Sequence, residues 1–222
     1  FILFFFSALC SFLLNSSVFA APGGGLVADG TAGTLIGWNG DRTRDITGGT
    51  AQGSNLLHSF QEFNVETGHT VDFKAEAGKQ NIVSRVTGAN DSWIDGKIQS
   101  TTSEVNLYLI NPNGIVMGEN ASLDVKGAFH ASTADYITLA DGQRVYASPD
   151  RGVSLTVAAP EAFGFLDANV SKIQISGSQL SVADDKAISL VGGDITIDAG
   201  AKLQAAGGRV DLIGTASAGE VP

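Results

Sequence analysis

Three histidines, His58, His69 and His130, are the only imidazoles in the chain. None stands at a spacing from another His or a Cys that would put two ligands on one metal ion. As general bases they are no better placed. His58 and His130 lie within or beside strand-like stretches, where a hydrogen-bonded structural role is expected, and His69 follows Gly68 as a turn residue does. The adjacent carboxylates Asp184 and Asp185 could form an acid–base pair, but between Ala183 and Lys186 they read as a hydrophilic corner. Gly192-Gly193-Asp194 matches one fragment of a calcium-binding nonapeptide and has no tandem copies. A nucleophile elbow, a P-loop and a dinucleotide fingerprint are all missing. The sequence therefore assigns no catalytic residue, no cofactor and no metal.

The most specific polar group is of another kind. In Val105-Asn-Leu-Tyr-Leu-Ile-Asn-Pro-Asn-Gly-Ile-Val-Met-Gly118, Val105, Leu107 and Leu109 alternate with Asn106 and Tyr108, Asn111-Pro112-Asn113-Gly114 interrupts, and Ile115 and Met117 resume. Pro112 presets φ for the second position of a β-turn, and Gly114 accepts a left-handed backbone if the turn needs it. A strand, a sharp corner and a second strand follow.

What positions this corner is a repeat. Ile173-Gln-Ile175 returns as Ile195-Thr-Ile197, and Ile188 to Gly192 returns as Val210 to Gly214, both at an offset of 22. Leu107 to Phe129 and Ile115 to Ile137 give 22 as well, and Leu180 to Leu203 gives 23. A fixed period holding several two-apolar strands is the signature of a β-solenoid, and a β-sandwich of hairpins is the competing architecture. Stacked at about 4.8 Å, Ile173 lies under Ile195 and Ile188 under Val210. The expected fold is all-β with about eight or nine coils, cornered at Gly177, Asp184-Asp185, Gly192-Gly193, Ala199-Gly200 and Gly207-Gly208. Ile195 and Ile197 should enter the core while Thr196 faces out.

The stretch around Asn111 to Ile115 resembles the NPNGI region of the N-terminal secretion domain in two-partner secretion exoproteins, the filamentous-haemagglutinin-like family of Gram-negative bacteria. The likeness continues through Leu57-His-Ser-Phe-Gln-Glu-Phe-Asn-Val65, Asn81-Ile-Val-Ser-Arg-Val-Thr-Gly88 and Ala131-Ser-Thr-Ala-Asp-Tyr-Ile137. It covers the chain from about Gly30 to Val221. The resemblance implies a right-handed parallel β-helix and a partner, an outer-membrane transporter with periplasmic POTRA domains. It also implies that Asn111, Pro112, Asn113, Gly114 and Ile115, with Asn81 and Arg85, belong to the region required for secretion. Asn81, Arg85 and Thr87 have a plain structural reading beside this one, as buried or ladder-lining groups. The separate NPNL motif of some members is missing, and Met117 stands where Phe is common, so transporter specificity stays open. Two other classes compete: a β-helix enzyme degrading polysaccharides and a self-contained glycan-binding adhesin.

Composition bounds the rest. Residues 1–20 carry no charge, run apolar from Phe1 to Leu14, and offer Val18 and Ala20 at the −3 and −1 positions of a cleavage site. They are expected to be a signal peptide lacking its first residues, directing Sec export and leaving no membrane span behind. All 28 glycines lie beyond residue 20, whereas Cys10 leaves with the signal. The exported chain, residues 21–222, then holds together without disulfides. Its charge of −10 argues against nucleic acid, because phosphate binding needs clustered Lys and Arg, and Arg42 and Arg44 are flanked by Asp41 and Asp45. Residues 21–63 break the period and are expected to cap the first coil. The chain is expected to be the front of a longer surface-bound or released exoprotein, whose downstream part could meet a host-cell or glycan surface.

Overall fold

Four sheets arise from the short alternating segments in a computed structural model that describes residues 25–101, 104–198 and 200–222. The expected signal peptide and Cys10 lie outside the described residues. The longest sheet contains β1 (Leu26–Ala28), β4 (Thr50–Gln52), β5 (Asn55–Phe63), β7 (Asn81–Val86), β10 (Asn106–Ile110), β13 (Phe129–Ser132), β19 (Ala187–Gly192) and β22 (Arg209–Gly214). A second holds β2 (Thr34–Trp38), β3 (Thr43–Gly48), β6 (Thr70–Phe73), β9 (Lys97–Ser100), β12 (Ser122–Val125), β18 (Gln179–Ser181) and β21 (Lys202–Gln204). A third stacks β8 (Ser92–Ile94), β11 (Ile115–Met117), β17 (Ile173–Ile175) and β20 (Ile195–Ile197).

In each coil the chain passes from the first sheet to the third and then to the second, and each strand pairs in parallel with its counterpart in the next coil. The result is a parallel β-solenoid of about seven turns. Leu107 lies between Ile82 and Phe129, Ile173 pairs with Ile195, Leu180 with Leu203, and Ile188 with Val210, as the offsets predict. Inward residues of the three sheets make one apolar column that includes Phe60, Phe73, Ile82, Ile98, Leu107, Ile115, Phe129, Ile173 and Ile188.

One offset misleads. Ile115 stacks on Ile173, not below Ile137. After Ser132 the chain leaves the solenoid, and residues 133–172 build an antiparallel layer from β14 (Tyr136–Leu139), β15 (Arg144–Tyr146) and β16 (Pro160–Phe165), which β23 (Gly219–Val221) completes as an edge strand. Strand alternation is the same in stacked and hairpin strands, so spacing alone could not separate them. This excursion, called the insert below, also accounts for a turn count under the expected eight or nine. It covers the outer face of the first sheet, where Leu57, Val83, Ile110 and Val191 pack against Ile137, Leu139, Val145, Phe163 and Phe165 in a second apolar cluster.

The two ends differ. At the start, β1, β2 and β4 pair antiparallel with β5 or β3, which themselves begin the parallel stacks. At the other end, β20, β21 and β22 are the last strands of their sheets. Ile197, Val210 and Leu212 therefore keep 40%, 39% and 46% of their surface exposed despite sitting over core columns. Ile195 packs on the core only partly buried, for the same reason.

Candidate functional site at the base of the insert

The corner predicted at Asn111 forms as a closed β-turn, with Gly114 N–H donating to Asn111 O at 3.1 Å and Gly114 at φ +132°. Asn111 is fully buried and ties the corner in two directions. Its Nδ2 donates to Asn90 O and to Ser92 Oγ, both at 3.0 Å, which fixes it to the coil below. Its Oδ1 accepts from the Asn113 backbone N–H and from Asn113 Nδ2, both at 3.0 Å. Asn113 Nδ2 also reaches Gly88 O at 2.8 Å. Above, Asn111 N–H donates to Ser132 O at 2.9 Å and Ile115 N–H to Lys172 O at 3.2 Å. Ser132 and Lys172 are where the insert departs and returns, so the corner grips both feet of the insert. Thr133 Oγ1 closes the base by donating to Ser171 O at 2.8 Å.

Arg85 and Asn81 serve the same element from the outer face of the first sheet. Arg85 is 1% exposed. Its Nε donates to Ser59 Oγ at 2.7 Å, one terminal nitrogen to Thr31 Oγ1 at 2.9 Å, and the other to Tyr146 O in the insert at 2.8 Å. The charge is answered at one remove, since Ser59 Oγ donates to Asp29 Oδ2 at 2.6 Å and Thr31 Oγ1 to Asp29 Oδ1 at 2.8 Å. Burial works against ionisation of Asp29, but hydrogen bonds from Ser59, Thr31 and Thr87 outweigh it and hold its carboxyl below the usual value. Burial pulls the Arg85 guanidinium down, with Asp29 opposing. Asn81 belongs to an amide ladder: Asn106 Nδ2 donates to Asn81 Oδ1 at 3.1 Å and Asn81 Nδ2 to Asn55 Oδ1 at 2.9 Å. Asn55 Nδ2 then holds the insert at Thr156 O (2.8 Å) and Ala158 O (2.6 Å).

Of the seven residues singled out in the sequence, Asn111, Ile115 and Arg85 thus bond the insert or its feet directly and Asn81 does so through Asn55, while Asn113 and Gly114 shape the corner that holds them. Asn55, Ser59, Asp29 and Thr31 were missed. The ladder did leave a signal, because β5, β7 and β10 all open with Asn followed by an apolar residue, Leu56, Ile82 or Leu107. Asn81, Arg85, Asn111, Gly114 and Ile115 are buried, Pro112 is half-buried, and Asn113 alone is exposed.

The titratable groups weighed earlier sit elsewhere. His58 is buried inside the solenoid against Phe73, with ring centroids 5.7 Å apart, and neither ring nitrogen has a hydrogen-bond partner among the described residues. The hydrogen bond expected of His58 is therefore not made among the described residues, and burial pushes its pKa down to about 4. His130 stacks flat on Tyr108, with centroids 4.4 Å apart and planes at 10°, and burial lowers it to about 4 as well. Asp184 and Asp185 form a turn, with Asp185 at φ +60°. Among the described residues no three His, Cys, Asp or Glu side chains are placed to hold a metal ion. Among them too, no helix is long and apolar enough to cross a membrane.

Comparison with known proteins places this geometry. The chain is 36% identical over 76 residues to the heme/hemopexin-binding protein of Haemophilus influenzae, a match taking in 34% of this chain and 8% of that protein. The crystal structure of the HMW1 secretion domain from Haemophilus influenzae shares the fold at a TM-score of 0.60 and 20% identity, over 86% of this chain and 44% of that one. A filamentous hemagglutinin secretion domain aligns over 86% of this chain and all of its own at 16% identity, but its TM-score of 0.38 is too loose to bear on the fold. The family model of the TPS secretion domain matches residues 24–222, a span that holds every residue the structure describes, and with the solenoid and its fastened insert in place the chain belongs to that family, the secretion domain of two-partner secretion exoproteins.

Proposed function

We propose that after signal cleavage this domain reaches the periplasm largely unfolded, binds the POTRA domains of its partner transporter, crosses the outer membrane and nucleates β-helix folding outside. The observation that carries this reading is the burial of the motif: folding hides Asn81, Arg85, Asn111, Gly114 and Ile115, leaving Asn113 and half of Pro112 at the surface. A transporter that reads these residues directly reads them before they fold. Strand addition suits an extended segment of this kind, since its backbone N–H and C=O groups are still free to pair with a sheet edge.

Folding then supplies direction. At an ordinary stability of about 0.05–0.15 kcal/mol per residue, one coil of about 22 residues contributes roughly 1–3 kcal/mol against sliding back. β1, β2 and β4, which break the solenoid pattern at its first edge, act as the cap of that growing stack and shield an edge that would otherwise invite pairing. The uncovered Ile197, Val210 and Leu212 at the opposite end suit a further coil of a longer exoprotein, whose downstream part would set its target surface. In this role the domain does no chemistry.

The test is expression with and without an outer-membrane transporter of the two-partner class. Transporter-dependent appearance of the protein outside the cell is the expected result; equal release without the transporter refutes the reading.

A further inference from the structure

Arg85 is where three distant parts of the chain meet. Its three hydrogen bonds go to Thr31 in the segment between β1 and β2, to Ser59 in β5, and to the Tyr146 carbonyl in the insert. Asp29 holds both hydroxyls in place from the N-terminal side, and Thr87 Oγ1 adds a donor to Asp29 Oδ2 at 2.9 Å. From this convergence we propose that Arg85 couples closure of the N-terminal segment to docking of the insert, so that the two lock together and only when residues 29 to 146 are all on the same side of the membrane.

The physical argument starts with the face on which Arg85 lies. The Ser59–Arg85–Ile110 column points out of the solenoid, and the insert is what covers it. Before docking, water can hydrate the guanidinium. Docking strips that water and supplies one carbonyl in return, which is poor exchange for a cation unless its other N–H groups are already satisfied. Ser59 on the paired strand answers one of them, but Thr31 answers a second, and Asp29 orients both hydroxyls and answers the charge, only when the N-terminal segment has closed. Conversely, the insert shields the Arg85–Asp29 relay from solvent and strengthens it. Each event favours the other, which is positive coupling between two sites through one buried charge. The export step that resists sliding back would then be one large unit joining the first coils and the insert, with single coils added after it. Only that consequence rests on the transporter route; the coupling is a property of the chain alone.

Hydrogen–deuterium exchange of the purified chain tests it. Thr31→Val removes a hydroxyl that makes no hydrogen bond to the insert, yet it should speed amide exchange in β14 and β15 by roughly tenfold, the effect of weakening a hydrogen-bonded charge. In an Arg85→Met background the same substitution should change β14 and β15 exchange by less than about twofold. Should Arg85→Met fail to fold, Arg85→Lys, which keeps the charge but loses the planar fork that spans Thr31 and the Tyr146 carbonyl, replaces it in the cycle. Unchanged exchange in the insert on Thr31→Val, or an equal effect in both backgrounds, overturns the proposal. No transporter enters the experiment, so a negative result here leaves the export reading standing, and a failure of transporter-dependent release leaves this one.

Discussion

Asn111→Ala gives the sharpest quantitative expectation, because each interaction it removes has a known partner. Four hydrogen bonds at 3.0 Å disappear. The two made by Oδ1 involve Asn113, whose exposed position lets water replace them at little cost. The two made by Nδ2 are different. Ser92 is fully buried, so truncation strands its hydroxyl where the alanine methyl cannot help, whereas Asn90 is exposed and its carbonyl can turn to water. At about 1–3 kcal/mol for one buried group left unsatisfied, the variant should lose roughly 1–3 kcal/mol. With a urea slope near 2–3 kcal/mol/M for a chain of this size, the unfolding midpoint should fall by roughly 0.5–1 M. Equilibrium unfolding followed by the fluorescence of Trp38 and Trp93 measures this directly. Asn113→Ala is the internal control. It loses the contacts to Gly88 O and Asn111 Oδ1 from an exposed side chain and should shift the midpoint by less than about half as much. Equal shifts in the two variants, or a shift for Asn111→Ala under about 0.3 M, would show that the corner does not depend on its buried amide.

Acid should destabilise the domain before the carboxylates titrate. His58 and His130 have folded pKa values of about 4 against an ordinary 6.5, so the unfolded chain binds more protons between those values; the stability is complete above pH 6.5 and is lost as pH falls toward 4, by up to about 3 kcal/mol per histidine, visible as a pH-dependent urea midpoint that His58→Phe flattens. Asn81→Ala breaks the amide ladder on both sides and should cost roughly 2 kcal/mol, with exchange rising around residues 156–158 although Asn81 does not touch them. Gly88→Ala would drive a methyl into the Gln61 carbonyl, a backbone atom that cannot step aside, and should lower the thermal midpoint by an amount equivalent to about 2–3 kcal/mol.

Much of this architecture could be read from spacing, and the failures have physical causes. The column from Ile173 to Ile195 and the pairing of Ile188 with Val210 were legible because parallel stacking repeats the same inward positions once per turn. The match of Ile115 to Ile137 failed because an antiparallel layer obeys the same two-residue alternation, and nothing in the spacing marks where Thr133 leaves the stack. The corner at Asn111 to Gly114 was visible through Pro112 and Gly114, which carry backbone requirements of their own. That the same corner grips the insert was not, since Ser132 and Lys172 contribute backbone carbonyls, which any residue type supplies. Arg85 stood out by type, but its partners Thr31, Ser59 and the Tyr146 carbonyl come from sequence separations of 54, 26 and 61 residues, which no local pattern encodes.

The central proposal, that the corner around Asn111 is offered to a transporter before folding and enclosed by it, is tested most directly by binding to the isolated POTRA domains of an outer-membrane transporter of the two-partner class. The chain diluted from urea at the moment of mixing and the same chain already folded are compared side by side. Capture of the unfolded chain, lost as folding completes and weakened in the unfolded chain by joint substitution of Asn111 and Asn113, is the predicted result. Equal binding of the folded domain would contradict it, because Asn111, Arg85 and Asn81 would then be recognised while out of reach.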